Sequence, residues 1–271
     1  MFTVGMATYD DYDGVFFTVQ ALRLYHPLVT EVVIVDNNPE SEHGKLLQKF
    51  IHESTPDFKI HYNKFLGKQS TTVKGEVFKH ATNDHVVVCD SHVLFTANAF
   101  NVLRDFYHEE HKPYDFIQGP LLYDNGKDIS THLDRTWSGN FYGQWQTSDN
   151  KAKWFEVEAQ GMGCFSCKKD EWLGFNEHFI GFGGEEHYIH EKYRQRGGRT
   201  ICLAGFKWNH KFGRPSGVPY KNILEDRFFN YVLGRLELDL DYMDVYEEFS
   251  KNIPLDSLNT LIEQALDIIQ K

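Results

Sequence analysis

His85-Val86-Val87-Val88-Cys89-Asp90-Ser91-His92 is a run of four apolar residues that breaks abruptly into three polar ones. A β-branched run this short reads as a strand buried on both faces, the kind found inside parallel sheets. Two similar runs lie upstream. Phe2–Thr8 ends in Tyr9-Asp10, and Glu31–Val35 ends in Asp36-Asn37-Asn38-Pro39. Between and after them, Val15–Tyr25 has helical apolar spacing with Pro27 beyond its end, Gly44–His52 and Thr71–His80 read as helices, and Phe58–His61 as a short strand. Alternating strands and helices with short connections imply an α/β fold built on a doubly wound, mostly parallel sheet. Such sheets bind ligands outside the carboxyl ends of their strands. Here three strand ends deliver polar side chains.

Further along, Tyr123–Asn150 is rich in Gly, Trp, Asp and Ser and has little periodicity, which marks a long, partly irregular excursion of functional use. Phe155–Ser166 reads as a returning strand, Glu185–Arg196 as a helix and Thr200–Phe206 as another apolar strand. Pro254–Gln270 carries Leu255, Leu258, Leu261, Ile262, Ala265, Leu266 and Ile269 on one helical face, suited to packing on the domain or to forming an oligomer with a second copy. The 271 residues suffice for one sizeable α/β domain with an appendage. No apolar run approaches the roughly 20 residues of a membrane span. The N-terminus lacks the basic-then-apolar pattern of a secretory signal, so the expected location is the cytoplasm.

The formal net charge is −11, yet it is unevenly placed. Residues 192–221 hold eight bases and no acid, whereas residues 235–271 hold nine acids and three bases. Overall acidity argues against bulk nucleic-acid binding, and the basic segment argues for a local anionic ligand. Cys164 and Cys167 form a C-x-x-C, but no second ligand pair lies near it. Buried free thiols in apolar strands are the expectation for these two and for Cys89 and Cys202.

Asp90 and His92 are two apart, so on extended backbone both side chains point the same way. A carboxylate with an imidazole suits a divalent ion that accepts mixed oxygen and nitrogen ligands, such as Mn²⁺. Alone, D-S-H reads first as a polar turn at a strand end. His210 in Trp208-Asn209-His210-Lys211-Phe212 lies within the basic segment and is a third ligand candidate. Gly181-Phe182-Gly183-Gly184-Glu185-Glu186 opens the predicted helix at 185. Its glycines permit close backbone approach, and its acids could bind hydroxyls, act as a base or simply favour the helix N-terminus.

Taken in order, strand-T-Y-D, V-D-N-N, D-S-H, G-C-F-S, F-G-G-E-E and W-N-H-K-F-G-R-P resemble the GT-A glycosyltransferases. The likeness is nearest to the family 2-like polypeptide GalNAc-transferases and to the cytoplasmic GlcNAc-transferases with a D-S-H and a G-E-E. It covers about Phe2 to Tyr220. The resemblance implies a GT-A catalytic domain over 1–220 and a helical extension over 221–271, without a lectin domain. It implies Asp90, His92 and His210 as ligands of Mn²⁺ (or Mg²⁺), and a UDP-sugar as donor. Thr8, Tyr9, Asp36, Lys74, Ser91, Gly163, Arg214 and Tyr220 would bind that donor, with Asp36 meeting the uracil and Arg214 closing over the diphosphate. Glu185 would contact the sugar, and Glu185, Glu186 and Arg214 would serve catalysis. Two departures stand out: Phe182 replaces a Trp of the GalNAc-transferases, and Glu186 replaces an Asn. The expected reaction is retaining transfer to a hydroxyl, with Ser or Thr of a polypeptide as acceptor. Inverting transfer with Glu186 as base, a hydroxymethylated DNA base or another glycan as acceptor, and a non-catalytic sugar-nucleotide or glycan-binding module are the alternatives. A nucleotidyltransferase would need a phosphate-cradling turn after the first strand, where this chain has the acid-rich TYDDYDG.

Overall fold

The computed structural model describes residues 1–53, 59–213 and 217–271. Strand β1 (Phe2–Thr8) leads through helix α1 (Tyr12–Tyr25) to β2 (Val29–Asp36), then through α2 (Glu42–Glu53) to β3 (Lys59–Lys64). A 3₁₀ turn over Thr71–Gly75 and α3 (Glu76–His80) precede β4 (His85–Asp90). These four strands are parallel, in the order β3-β2-β1-β4. Such an order needs helical crossovers, which α1, α2 and α3 supply.

Beyond β4 come β5 (Val93–Phe95), α4 (Ala99–Glu109), β6 (Phe116–Gln118) and two short strands, β7 (Leu121–Leu122) and β8 (Ile129–Ser130). Cys164–Lys168 inserts antiparallel between β4 and β6, and Thr200–Leu203 and Trp154–Glu156 complete an eight-stranded sheet. The single strand expected over Phe155–Ser166 is thus two. Trp154–Glu156 lies at the sheet edge, and the chain, with Gly161 and Gly163 in the crossing, enters the sheet interior only at Cys164. A smaller four-stranded sheet pairs Trp208–His210 with β5 and β7 and lies over the carboxyl end of β4. Within 123–150 the irregular excursion contains two-residue hairpin strands, among them Trp137–Ser138 with Phe141–Tyr142. The thiols are buried and unlinked. Cys164 and Cys167, three apart on a strand, belong to the hydrophobic layers on opposite sides of the sheet, so they cannot pinch one metal ion.

Strand alternation sorts the core. Val87 and Cys89 face α1 and α4 with Val15, Leu22 and Leu103, whereas Val86 and Val88 face the other layer with Val77, Phe165 and Ile189. That second layer also contains Phe228, Val232, Leu258 and Ala265 from α6 (Leu224–Glu237) and α8 (Leu255–Ile269). Between them lies α7 (Met243–Phe249), and before α6 lies α5 (Glu185–Gln195). The segment after residue 220 therefore shares the hydrophobic core of the sheet. The Phe58 end of the predicted third strand lies outside the described residues, and Thr71–His80 is half 3₁₀ and half α.

Candidate active site

The parallel run of β4 ends at Asp90, and the turn through Ser91 and His92 brings the chain into β5. Since Trp208–His210 pairs antiparallel with β5, His210 lies opposite Val93, beside the D-S-H turn. Asp90, His92 and His210 thereby converge, with one ligand atom from each within 4.8 Å of the others. His92 Nε2 and His210 Nε2 are 3.1 Å apart, and His210 Nε2 is 3.2 Å from Asp90 Oδ2. Two imidazole nitrogens and a carboxylate oxygen this close together form a donor set that fits Mn²⁺ and suits the harder, oxygen-seeking Mg²⁺ less well.

His92 is oriented from behind. Its Nδ1 lies 2.6 Å from Asp11 Oδ2, an oxygen that also accepts from Ser91 Oγ at 2.6 Å, while Asp11 Oδ1 caps α1 through Gly14 N at 3.2 Å. A proton on Nδ1 donated to Asp11 leaves Nε2 as the ligating nitrogen, the usual carboxylate–histidine arrangement around a metal ligand. Asp11 was not singled out from sequence. Its signal was a helix cap, D-Y-D-G, directly after a strand.

Lys74, buried, places Nζ 2.7 Å from Asp90 Oδ1 and donates to Met162 O at 2.8 Å. Burial alone would raise the Asp90 carboxyl's pKa, but the Lys74 ammonium and His210 outweigh it and hold the carboxyl far below its usual range. Gly163 sits beside them, its carbonyl accepting from Asp90 N at 2.9 Å. A Cβ on Gly163 would come 2.9 Å from the Trp208 ring, so the indole needs a glycine there.

In front of these groups opens a cavity of about 450 Å³ lined by Thr8, Tyr9, Lys74, Asp90, Ser91 and His92, with Tyr220 on another wall. Tyr220 stacks on Phe182 at 5.6 Å and meets Tyr9 edge-on at 6.4 Å. Asp36 is buried and does not line the cavity. Its carboxylate accepts from Asn38 N at 2.9 Å and Tyr62 Oη at 2.7 Å, while its neighbour Asn37 lines the cavity. Arg214 lies outside the described residues.

Two buried polar atoms on the cavity wall, Thr8 Oγ1 and Asn37 Nδ2, have no hydrogen-bond partner among the described residues, and the buried Glu185 carboxyl, which does not itself line the cavity, meets the Thr71 hydroxyl that does. Such orphans are costly unless a ligand satisfies them. Burial first, and the adjacent Glu186 second, push the Glu185 carboxyl up to about 8, against the pull of Lys74. The Glu186 carboxyl is also raised by burial, against Lys74 and Arg227.

The loop that presents these acids is clamped from α6. Gly183 and Gly184 have φ of 98° and 96°, a region that costs little only for glycine. A Cβ on Gly184 would come 2.9 Å from Asn230 Cβ. Asn230 donates to Ile180 O at 2.7 Å and Gly183 O at 2.8 Å, and accepts from Ile180 N at 2.9 Å. Neither Asn230 nor the cavity-lining Asp226 was singled out from sequence, because α6 carries no motif and its role is set by packing.

A parallel sheet with a carboxylate at the end of its fourth strand, joined there by two histidines and faced by a Gly-Gly-Glu loop, defines a glycosyltransferase of GT-A fold. The chain belongs to glycosyl transferase family 2, whose family model matches residues 3–169, from β1 through Cys164–Lys168. Asp90 and His92 fall within that match; Glu185 and His210 fall beyond it. GalNAc-T7, solved with UDP, GalNAc and Mn²⁺, superposes with a TM-score of 0.72 at 14% identity over 98% of this chain. This chain spans 54% of GalNAc-T7, about half its length. TarS of S. aureus, residues 1–349 with UDP-GlcNAc, gives a TM-score of 0.60 at 15% identity, covering 99% of this chain and 80% of that one. The mannosyltransferase PcManGT of Pyrobaculum calidifontis, with GDP-Man and Mn²⁺, gives 0.55 at 12% identity, covering 99% and 69%. No curated protein sequence matches this chain significantly. Among the described residues no helix is long and apolar enough to cross a membrane.

Proposed function

We propose that this glycosyltransferase moves a sugar from a UDP-sugar to a hydroxyl acceptor, with retention at the anomeric carbon and with Ser or Thr of a polypeptide as the acceptor class. The observation that carries the reading is the site's geometry: Asp90 and His92 line the cavity, His210 joins them within 4.8 Å, and Gly181 and Phe182, of the loop leading to Glu185, line it too. The same three residues would hold Mn²⁺ or Mg²⁺, which when bound neutralises charge on the departing diphosphate.

The protein's own groups supply the rest. Lys74 fixes the Asp90 carboxylate and adds a buried positive charge beside it. Asp11 keeps the His92 ring in its ligating tautomer. A Glu185 carboxyl that holds its proton near neutral pH can both donate to and accept from sugar hydroxyls. Glu186, adjacent on the first turn of α5, points about 100° away from it and cannot share its role. In a retaining reaction no protein base is needed at Glu186. In the inverting alternative, Glu186 takes the acceptor proton.

One experiment tests the reading. Turnover of a UDP-sugar should stop with EDTA and return with Mn²⁺, and Ala at Asp90, His92 or His210 should each cost about 10²-fold or more. NMR of the product anomer then decides the course. A β-configured product from an α-linked donor, together with a Glu186→Gln variant slowed by roughly 10²–10⁴-fold, would replace retention by inversion. Full activity of all three ligand variants would remove the metal site.

A further inference from the structure

Asp226 sits in the first turn of α6, outside every motif that marks the family. It lines the same cavity as Lys74, Asp90 and Tyr220. A Cβ on Gly181 would lie 2.7 Å from Asp226 Oδ2, so the carboxylate rests directly on the loop leading to Glu185. The other acids of the cavity wall are engaged: Asp90 by Lys74 and His210, Asp11 by Ser91 and His92. Asp226 has no hydrogen bond or ion pair among the described residues. Burial raises its carboxyl, and Glu225 pushes in the same direction. An acid in the first turn of a helix gains from the helix dipole, but that gain needs no place on a cavity wall.

The chemistry of the ligand limits what this carboxylate can meet. Lys68, Lys74 and Lys221 also line the cavity and suit a diphosphate. A half-buried carboxylate against phosphate oxygens would be repelled, so Asp226 must meet a hydrogen-bond donor, and apart from the single N–H of the uracil every such group on a UDP-sugar such as UDP-glucose is a hydroxyl. We propose that Asp226 is a specificity-determining residue that accepts a hydrogen bond from a hydroxyl of the nucleotide sugar, either on the ribose or on the transferred sugar. The assignment rests on the cavity being the donor site.

Calorimetric titration with Mn²⁺ present tests it, with UDP, 2′-deoxy-UDP, UDP-GlcNAc and UDP-GalNAc as probes, on the wild type and on Asp226→Ala and Asp226→Asn. The expected result is a loss of about tenfold in affinity for at least one UDP-sugar in Asp226→Ala. Asp226→Asn, which keeps one acceptor oxygen, should lose less. A loss shared by UDP and absent with 2′-deoxy-UDP places the hydroxyl on the ribose, and a loss confined to a UDP-sugar places it on the transferred sugar. Unchanged affinities in both variants, or tighter UDP binding by Asp226→Asn, would overturn the assignment, the latter by placing the carboxylate against the diphosphate. A wild type that binds none of the probes would instead remove the donor-site reading itself.

Discussion

Glu185 is a carboxyl group that the fold holds against its preference for water. Its pKa, pushed up to about 8 from an ordinary 4.5, means that between those values the folded protein keeps a proton that the unfolded chain releases. Stability must then fall as pH rises through that window, because the unfolded state binds fewer protons. Glu185→Gln removes the titration. Without nucleotide or metal, its melting temperature should gain on the wild type steadily from pH 5 to pH 8. A constant offset across that range would show that Glu185 does not carry the proton. The base-recognition assignment belongs to the same scale. With Mn²⁺ present, we expect UDP to raise the melting temperature and CDP barely to do so; because Asp36 is buried behind the cavity and engaged by Asn38 and Tyr62, Asn37→Ala, at the neighbour that lines it, should weaken the preference more than Asp36→Asn does. Equal shifts for UDP and CDP in the wild type would show that no group at this strand end reads the base. The closeness of Asp90, His92 and His210 was expected from the family resemblance more than from spacing, since the strand ends at Asp90 and a turn, not extended backbone, carries His92 to the same side. Asp11 was not: the acid-rich turn counted only as the lack of a phosphate cradle, whereas its carboxylate faces His92 and Ser91.

Among the elements, α6 matters more than its lack of motif suggests. Its Asn230 makes three hydrogen bonds to the backbone of the loop Ile180–Gly183. Asn230→Ala would leave a buried N–H and two carbonyls unsatisfied, costing about 2–4 kcal/mol of stability. It should also weaken UDP-sugar binding, although Asn230 does not line the cavity, because the loop it holds positions Glu185. Unaltered UDP-sugar affinity at a temperature where the variant is folded would show that the loop keeps its shape unaided. The elements that sequence periodicity placed well were the parallel strands, whose apolar runs are continuous. Those it misplaced lie where the chain changes sheet position. Phe155–Ser166 looked like one strand because its ends are apolar, but residues 157–163 carry the chain from the sheet edge to its interior.

For the whole molecule, the sequence suggested a catalytic domain ending near residue 220 and a helical extension, a division drawn from where motifs stop. Packing follows another rule. Leu258 and Ala265 of α8 share a hydrophobic layer with Val33, Val77 and Phe165 of the sheet and its helix. Leu258→Ala should therefore cost about 2–5 kcal/mol and shift one cooperative denaturation transition of the entire chain. A separate early transition for residues 221–271, with the sheet melting unchanged, would restore the extension as an independent unit. The site's own assembly has a consequence for biosynthesis. Its walls come from the first strand, at Thr8, and from α6, at Asp226, so contacts that close the cavity join residues more than two hundred positions apart. The four parallel strands can form once the first ninety residues have been made, but a nascent chain that has released even His210 still lacks the wall that α6 provides. The cavity can thus be complete only after translation has passed α6, and an aborted chain lacking α6 would hold Asp90, His92 and His210 beside an unfinished cavity.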